Sequence, residues 1–272
     1  LCHELALLKA DPDFAWLRES SAIALQQRLK DVHAAFNLYL AGTSRKQRLK
    51  TRRRDLPSFR FPQRWKLQGN RVYCPKIGWM RLRGMRQIEG KIKCATFKQD
   101  ATGKWFVSII CETEARLSPR YVDDALGIDL GLRDFLVASD GARLPTPGFF
   151  RESEHRLRKA QRALSRKRLE TRNYEKARIR VAKVHQKTKN KRQHFLHEHS
   201  RRLVNGNLAI VVEDLNVSGI AKTKLSKSVK DAAWGEFLRQ LEYKTAWAGK
   251  RLIRVDRFFP SSRLCFKCGA RN

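Results

Sequence analysis

Over residues 1–41 apolar side chains recur at roughly helical spacing. Leu5 and Leu8, then Ile23, Leu25, Leu29, Val32, Phe36 and Leu40, predict two helices, with Asp11-Pro12 as the break between them. From Leu56 to Glu114 the pattern changes to short alternating segments divided by Pro and Gly. Arg71–Cys74, Trp79–Leu82, Ile92–Phe97 and Trp105–Ile110 read as strands, with Gly69-Asn70 and Thr102-Gly103 as hairpin turns. Evenly spaced strands of this kind predict a small barrel. Ser118-Pro119 reads as a boundary.

Beyond it the run Ala125–Asp129 opens an α/β domain. A second strand, Phe135–Ala138, and the turn Asp140-Gly141 predict a hairpin. Residues 151–202 read as long helices with an apolar stripe of Leu157, Ala160 and Leu164, then Ile179, Val181 and Val184, then Phe195, Leu196 and Leu203. Leu208–Val212 is a buried strand, Ser228–Ala248 a single amphipathic helix, and Arg251–Phe259 a further strand. This order of strands and helices fits a central sheet.

Charge changes the picture more than composition does. The 272 residues include 59 Lys and Arg against 26 Asp and Glu, a formal charge of +33. Residues 151–202 alone carry 19 basic residues against 5 Glu and no Asp. Self-repulsion on that scale points to a polyanionic partner, nucleic acid or an anionic membrane surface. No apolar run reaches the roughly 20 residues that span a bilayer, and no signal peptide is visible, which favours nucleic acid. The basic linker 42–54, with Arg52, Arg53 and Arg54, is either a solvated loop or a phosphate-contacting segment. Four of the six cysteines are scattered singly and read as reduced thiols, whereas Cys265 and Cys268 have ligand spacing. That pair is half of a zinc knuckle, a redox pair or fortuitous. The chain starts at Leu1 and stops at Asn272, as expected of a fragment.

Two acids interrupt apolar strands: Asp129 in Gly127-Ile128-Asp129-Leu130-Gly131, and Glu213 at the end of Leu208–Glu213. A carboxylate buried in a strand costs several kcal/mol unless it is paired or metal-bound. Carboxylates converging from neighbouring strands are also what two-metal phosphodiester hydrolysis needs, and Mg²⁺ prefers such oxygen ligands. The competing reading makes Asp129 a turn former before Gly131, and Glu213 a surface residue at a strand end. Asp134, Asp140, Asp214 and Asp231 read as caps, turns or solvated residues. Asp256 reads as a strand-edge residue paired with Arg254 or Arg257.

These elements, in this order, resemble the TnpB family of insertion-sequence proteins, RNA-guided nucleases related to type V CRISPR effectors. The resemblance runs through Gly127–Gly131, Val212-Glu213-Asp214-Leu215, Trp234-Gly235-Glu236-Phe237, Gln240–Lys244 and Phe259–Cys265. It implies a multidomain α+β and α/β fold. Residues 1–41 would be a helical recognition lobe, 42–54 a linker and 55–118 a wedge-like β-barrel. Residues 119–259 would form an RNase H-like (RuvC) nuclease domain with a basic helical insertion, and 260–272 half of a zinc ribbon. The implied activity is cleavage of double-stranded DNA matching a guide RNA, in the bacterial cytoplasm and at its nucleoid. Asp129 and Glu213 would be catalytic acids holding Mg²⁺, and Cys265 and Cys268 would hold structural Zn²⁺. Arg52, Arg53, Arg54, Arg162, Arg166, Lys167, Arg168, Lys191 and Arg192 would contact nucleic acid. Gln26 either reads an adenine in the adjacent DNA motif or is simply solvated. The resemblance implies a third acid and a second cysteine pair beyond Asn272; were the protein to end there, a nuclease-inactive RNA-guided DNA binder would be the alternative. A strand-transfer transposase is a third reading, since it uses similar carboxylates.

Overall fold

The computed structural model describes residues 2–46, 48, 50–51, 55–114 and 125–256. The chain divides into two compact units, 1–114 and 115–272. In the first, helix α1 (Cys2–Ala10) is followed by a 3₁₀ segment (Pro12–Arg18) and helix α2 (Ala22–Leu40). Asp11 caps the 3₁₀ segment by accepting from the Asp13 amide at 2.9 Å, and Pro12 stands at its first position.

Six strands complete this unit: β1 (Ser58–Phe61), β2 (Lys66–Gln68), β3 (Arg71–Cys74), β4 (Gly78–Arg81), β5 (Lys91–Gln99) and β6 (Trp105–Glu112). They form two antiparallel sheets, ordered β1-β5-β6 and β2-β3-β4. Phe61, Ala95 and Phe97 from one sheet and Val72 and Cys74 from the other share a core, and Ile23 and Ala24 of α2 pack against it. Phe59 stacks on Phe97 with ring centroids 5.0 Å apart. The expected barrel therefore does not close. Strands β2, β3 and β4 span only three or four residues each, too few to turn a sheet back onto its own edge, so two small sheets pack face to face instead. Both predicted hairpin turns are present, with Gly69 and Gly103 at positive φ.

The second unit is built on one mixed sheet. Strands β7 (Ala125–Asp129), β8 (Asp134–Ala138) and β9 (Arg143–Pro145) form an antiparallel meander. The turn Asp140-Gly141 joins β8 to β9, a strand the alternation did not reveal. Helices α3 (Phe149–Ser165) and α4 (Arg172–Gly206) then make the basic hairpin. Strand β10 (Ala209–Glu213), short helices α5 (Val217–Ile220) and α6 (Ser226–Ala232), helix α7 (Trp234–Trp247) and strand β11 (Arg251–Val255) follow. The sheet order is β11-β10-β7-β8-β9, with β10 parallel to both β7 and β11.

Burial follows the strand period of two. Leu126, Ile128, Ile210 and Val212 join Phe135, Leu196, Val204, Phe237 and Leu241 in one core. Phe135 anchors it, with edge-to-face contacts to Phe195 at 5.1 Å and Phe237 at 5.0 Å. The single helix expected over 228–248 is broken at Ala233, whose φ of 57° is left-handed. The break lets Trp234 turn into the core, where it is 4% exposed. Residues 257–259, expected to extend β11, lie outside the described residues.

Candidate active site and nucleic-acid interface

Register brings the two acids together. Val212 of β10 stands beside Ile128 of β7, so the next residues, Glu213 and Asp129, finish adjacent parallel strands at the same end of the sheet. Neighbouring strands lie about 4.8 Å apart, which sets the two carboxylates side by side. Both alternate with the core-facing residues and point away from that core. Asp129 is exposed and Glu213 half-buried, so the expected mid-strand buried acid is corrected: Asp129 is the last residue of its strand and keeps its solvation. Gly131 shapes the turn that follows. A Cβ there would lie 2.8 Å from the Asp134 carbonyl oxygen, so only glycine permits this close return of the chain into β8. Ser139 accepts a hydrogen bond from the Gly127 amide at 3.1 Å and ties the meander to the same strand.

The other acids have defined work. Asp134 pairs with Arg143 at 3.9 Å, Asp140 accepts from the Ala142 amide at 2.9 Å, and Asp214 lies 3.8 Å from Arg254. Arg254 also reaches Glu242 at 3.3 Å. Asp231, expected to be a cap, turn or solvated residue, is instead a buried anchor. Its carboxylate accepts from the Phe150 amide at 3.0 Å and from Arg192 Nη2 at 2.9 Å.

Arg192, expected to contact nucleic acid, is the partner of this buried carboxylate. Its guanidinium ties α4 to Asp231 of α6, which in turn holds the Phe150 amide at the start of α3. Lys191 is likewise engaged, with Glu152 at 2.7 Å, though it remains exposed. Arg162, Arg166, Lys167 and Arg168, at the end of α3 and in the loop after it, are exposed, and no carboxylate pairs with them among the described residues. Gln26 is half-buried on α2. Arg52, Arg53, Arg54, Cys265 and Cys268 lie outside the described residues.

Sequence reasoning missed a longer feature. Arg172, Lys176, Arg180, Lys183 and Lys187 fall at successive spacings of three or four along α4, are all exposed, and have no carboxylate partner among the described residues. That spacing places them on one stripe. It was visible in the sequence, hidden by the abundance of charge around it. Also missed was the polar bridge between α4 and α7. Fully buried Ser200 donates to Gln240 Oε1 at 3.0 Å and accepts from Lys244 Nζ at 2.6 Å, while Gln240 Nε2 donates to Glu236 at 3.1 Å and Gln193 at 3.2 Å. The bidentate contact of Arg239 holds the Glu236 carboxyl down at about 2, against the opposing effect of partial burial. Burial lowers the Lys244 ammonium.

Among the described residues no group of three His, Cys, Asp or Glu side chains is arranged to hold a metal ion. No helix among them is long and apolar enough to cross a membrane.

A family model described as "Probable transposase" (OrfB of IS605) matches residues 108–224, and one for the Cas12f1-like TNB domain matches 234–272. A protein of Streptomyces pristinaespiralis, provisionally named RNA-guided DNA endonuclease, is 37% identical over 96% of this chain and 66% of its own length. Escherichia coli (strain K12) InsQ, with the same provisional name, is 32% identical over 93% of this chain and 67% of its own length. The chain thus spans about two thirds of these relatives. A solved Cas12f1-sgRNA-target DNA complex aligns with 80% of this chain and 53% of that one, at 14% identity and a TM-score of 0.44, a likeness too loose to argue from. Similarity to InsQ over 93% of this chain, together with the transposase match across the carboxylate-bearing strands, shows that the chain belongs to the TnpB family of insertion-sequence proteins.

Proposed function

We propose that this protein is an RNA-guided DNA endonuclease whose nuclease centre is the Asp129–Glu213 pair. The observation that carries the proposal is the register that ends β7 and β10 on adjacent carboxylates. The strand order supports an RNase H-like (RuvC) assignment: an antiparallel meander of three strands, extended from its first strand by two parallel ones. The provisional names of the two relatives support the reaction and the partners, a guide RNA and a complementary DNA.

The two carboxylates offer hard oxygen donors from neighbouring strands, a donor set that fits Mg²⁺. Bound there by Asp129 and Glu213, such an ion would supply an activated water and offset charge on the scissile phosphate. Asp129 and Glu213 set two carboxylates at the same end of adjacent strands, and the Gly131 turn keeps Asp129 at its strand end. Arg162, Arg166, Lys167 and Arg168, with the α4 stripe, bind the nucleic-acid backbone without reading sequence, which is left to base pairing. Cys265 and Cys268 would supply two thiolates to a structural Zn²⁺.

The test is cleavage of a plasmid carrying the guide's complement by the full-length protein with its co-purified RNA. Asp129→Ala and Glu213→Ala are each expected to remove cutting while RNA retention and the thermal midpoint stay unchanged. Persistent cutting by Asp129→Ala would sink the assignment.

A further inference from the structure

The N-terminal unit contains a cavity of about 320 Å³ between the start of α2 and strand β1. That volume is at the small end of the range of about 300–1,000 Å³ for small-molecule sites. Its polar side is built from three sources. Ser21, the residue before α2, is 8% exposed, makes no side-chain cap bond, and has no other side-chain hydrogen bond among the described residues. The first-turn amides of the 19-residue α2 have no carbonyl partner within the helix, and here no side chain caps them. Lys76 supplies positive charge, as does Arg28, which also pairs with Asp31 at 3.5 Å, and Glu19 is the one acid that lines the cavity.

Two details favour an occupant with oxygens to offer. Ser58 Oγ accepts from Arg28 Nη2 at 2.7 Å, so its own proton is left to donate. Lys76 has no ion-pair partner among the described residues and sits on backbone with φ of 70°, a conformation unfavourable for a lysine. The apolar side is made by Phe59 and Ile77, the latter 50% exposed.

We propose that this cavity binds one nucleotide. Its phosphate lies against Ser21, Ser58, Lys76 and the first-turn amides of α2, where an anion is favoured by both hydrogen bonding and the helix dipole. Its base lies against Phe59 and Ile77. The site belongs to the N-terminal unit and owes nothing to the Asp129–Glu213 pair, so it stands whether or not the protein cuts DNA.

Isothermal titration of the intact chain with adenosine 5′-monophosphate, and separately with inorganic phosphate, tests it. Expected is one saturable site for the nucleotide and weaker binding of phosphate alone. Ser21→Ala and Lys76→Asn should each weaken nucleotide binding by about fivefold or more. Asparagine also tolerates the left-handed backbone, so this variant should remain folded, as thermal midpoints will verify. Lys104→Gln, which removes an exposed cation on the β5–β6 turn, should change nothing. Equal weakening by Lys104→Gln would reduce the effect to diffuse charge and overturn the proposal. Equal affinity for inorganic phosphate would overturn the base contact, and absence of saturation would overturn the site. Competition by a 5′-phosphorylated trinucleotide but not its 5′-hydroxyl form supports the site and assigns it to a chain end. Equal competition by both supports it with an internal nucleotide.

Discussion

Replacing Asp231 by alanine should be among the most destabilising single changes in the C-terminal unit. Its side chain is 7% exposed and that of its partner Arg192 23%. Both Asp231 oxygens lie 3.0 Å from the Phe150 amide, and Oδ1 is 2.9 Å from Arg192 Nη2. Asp231→Ala therefore strands a largely buried guanidinium and a backbone N–H together. Stranding one member of a buried pair costs about 3–5 kcal/mol, a figure that already includes much of the unpaired amide. Arg192→Met should cost less, about 1–3 kcal/mol, because Asp231 keeps the Phe150 amide. Arg192 Nε is moreover buried without a partner, and that orphaned donor disappears with the side chain. The double variant Asp231→Ala/Arg192→Met should cost less than the two single losses added together, since it removes the guanidinium that Asp231→Ala leaves stranded. Urea unfolding followed by tryptophan fluorescence, with Trp234 three residues from Asp231, gives all three values. A loss below about 1 kcal/mol for Asp231→Ala, or strict additivity in the cycle, would refute this account of the pair.

Gly131→Ala should cost about 1–3 kcal/mol, because its methyl would meet the Asp134 carbonyl oxygen at 2.8 Å; the same variant should cut DNA more slowly, since the displaced turn carries Asp129 with it. Ala233→Gly should stabilise the C-terminal unit by about 0.5–1 kcal/mol, read as a higher urea midpoint, because glycine accepts the left-handed break between α6 and α7 without a Cβ penalty. Glu236 sets an acid limit. Its folded carboxyl, held at about 2 by Arg239, lies below its ordinary value of 4.5, so its contribution is complete above that value and is lost as pH falls toward 2. Glu236→Gln should accordingly flatten the fall in stability through that window; an unchanged acid limb would remove Glu236 from the account.

Several features were legible without coordinates because they are local. The apolar runs around Asp129 and before Glu213 marked both β7 and β10 and singled out the two acids. Helical spacing found α2 and the α3–α4 hairpin, and Gly69 and Gly103 marked their turns. Local pattern misled where local and global preferences part. Residues 228–248 have a continuous helical period, yet the buried Trp234 and the Asp231 anchor demand a break at Ala233.

By itself the sequence determined element types, the basic character of the hairpin and the two acids worth watching, since each follows from side chains within one or two turns or pleats. Only the tertiary structure decided that Glu213 stands beside Asp129, that strands β1 to β6 stack as two sheets rather than close, and that Arg192 turns inward to Asp231 while Arg166 and Lys167 stay in solvent. Those outcomes depend on register and on contacts between residues far apart in the chain, 39 positions for Arg192 and Asp231. A periodic pattern says which way a side chain faces, but not what it will meet there.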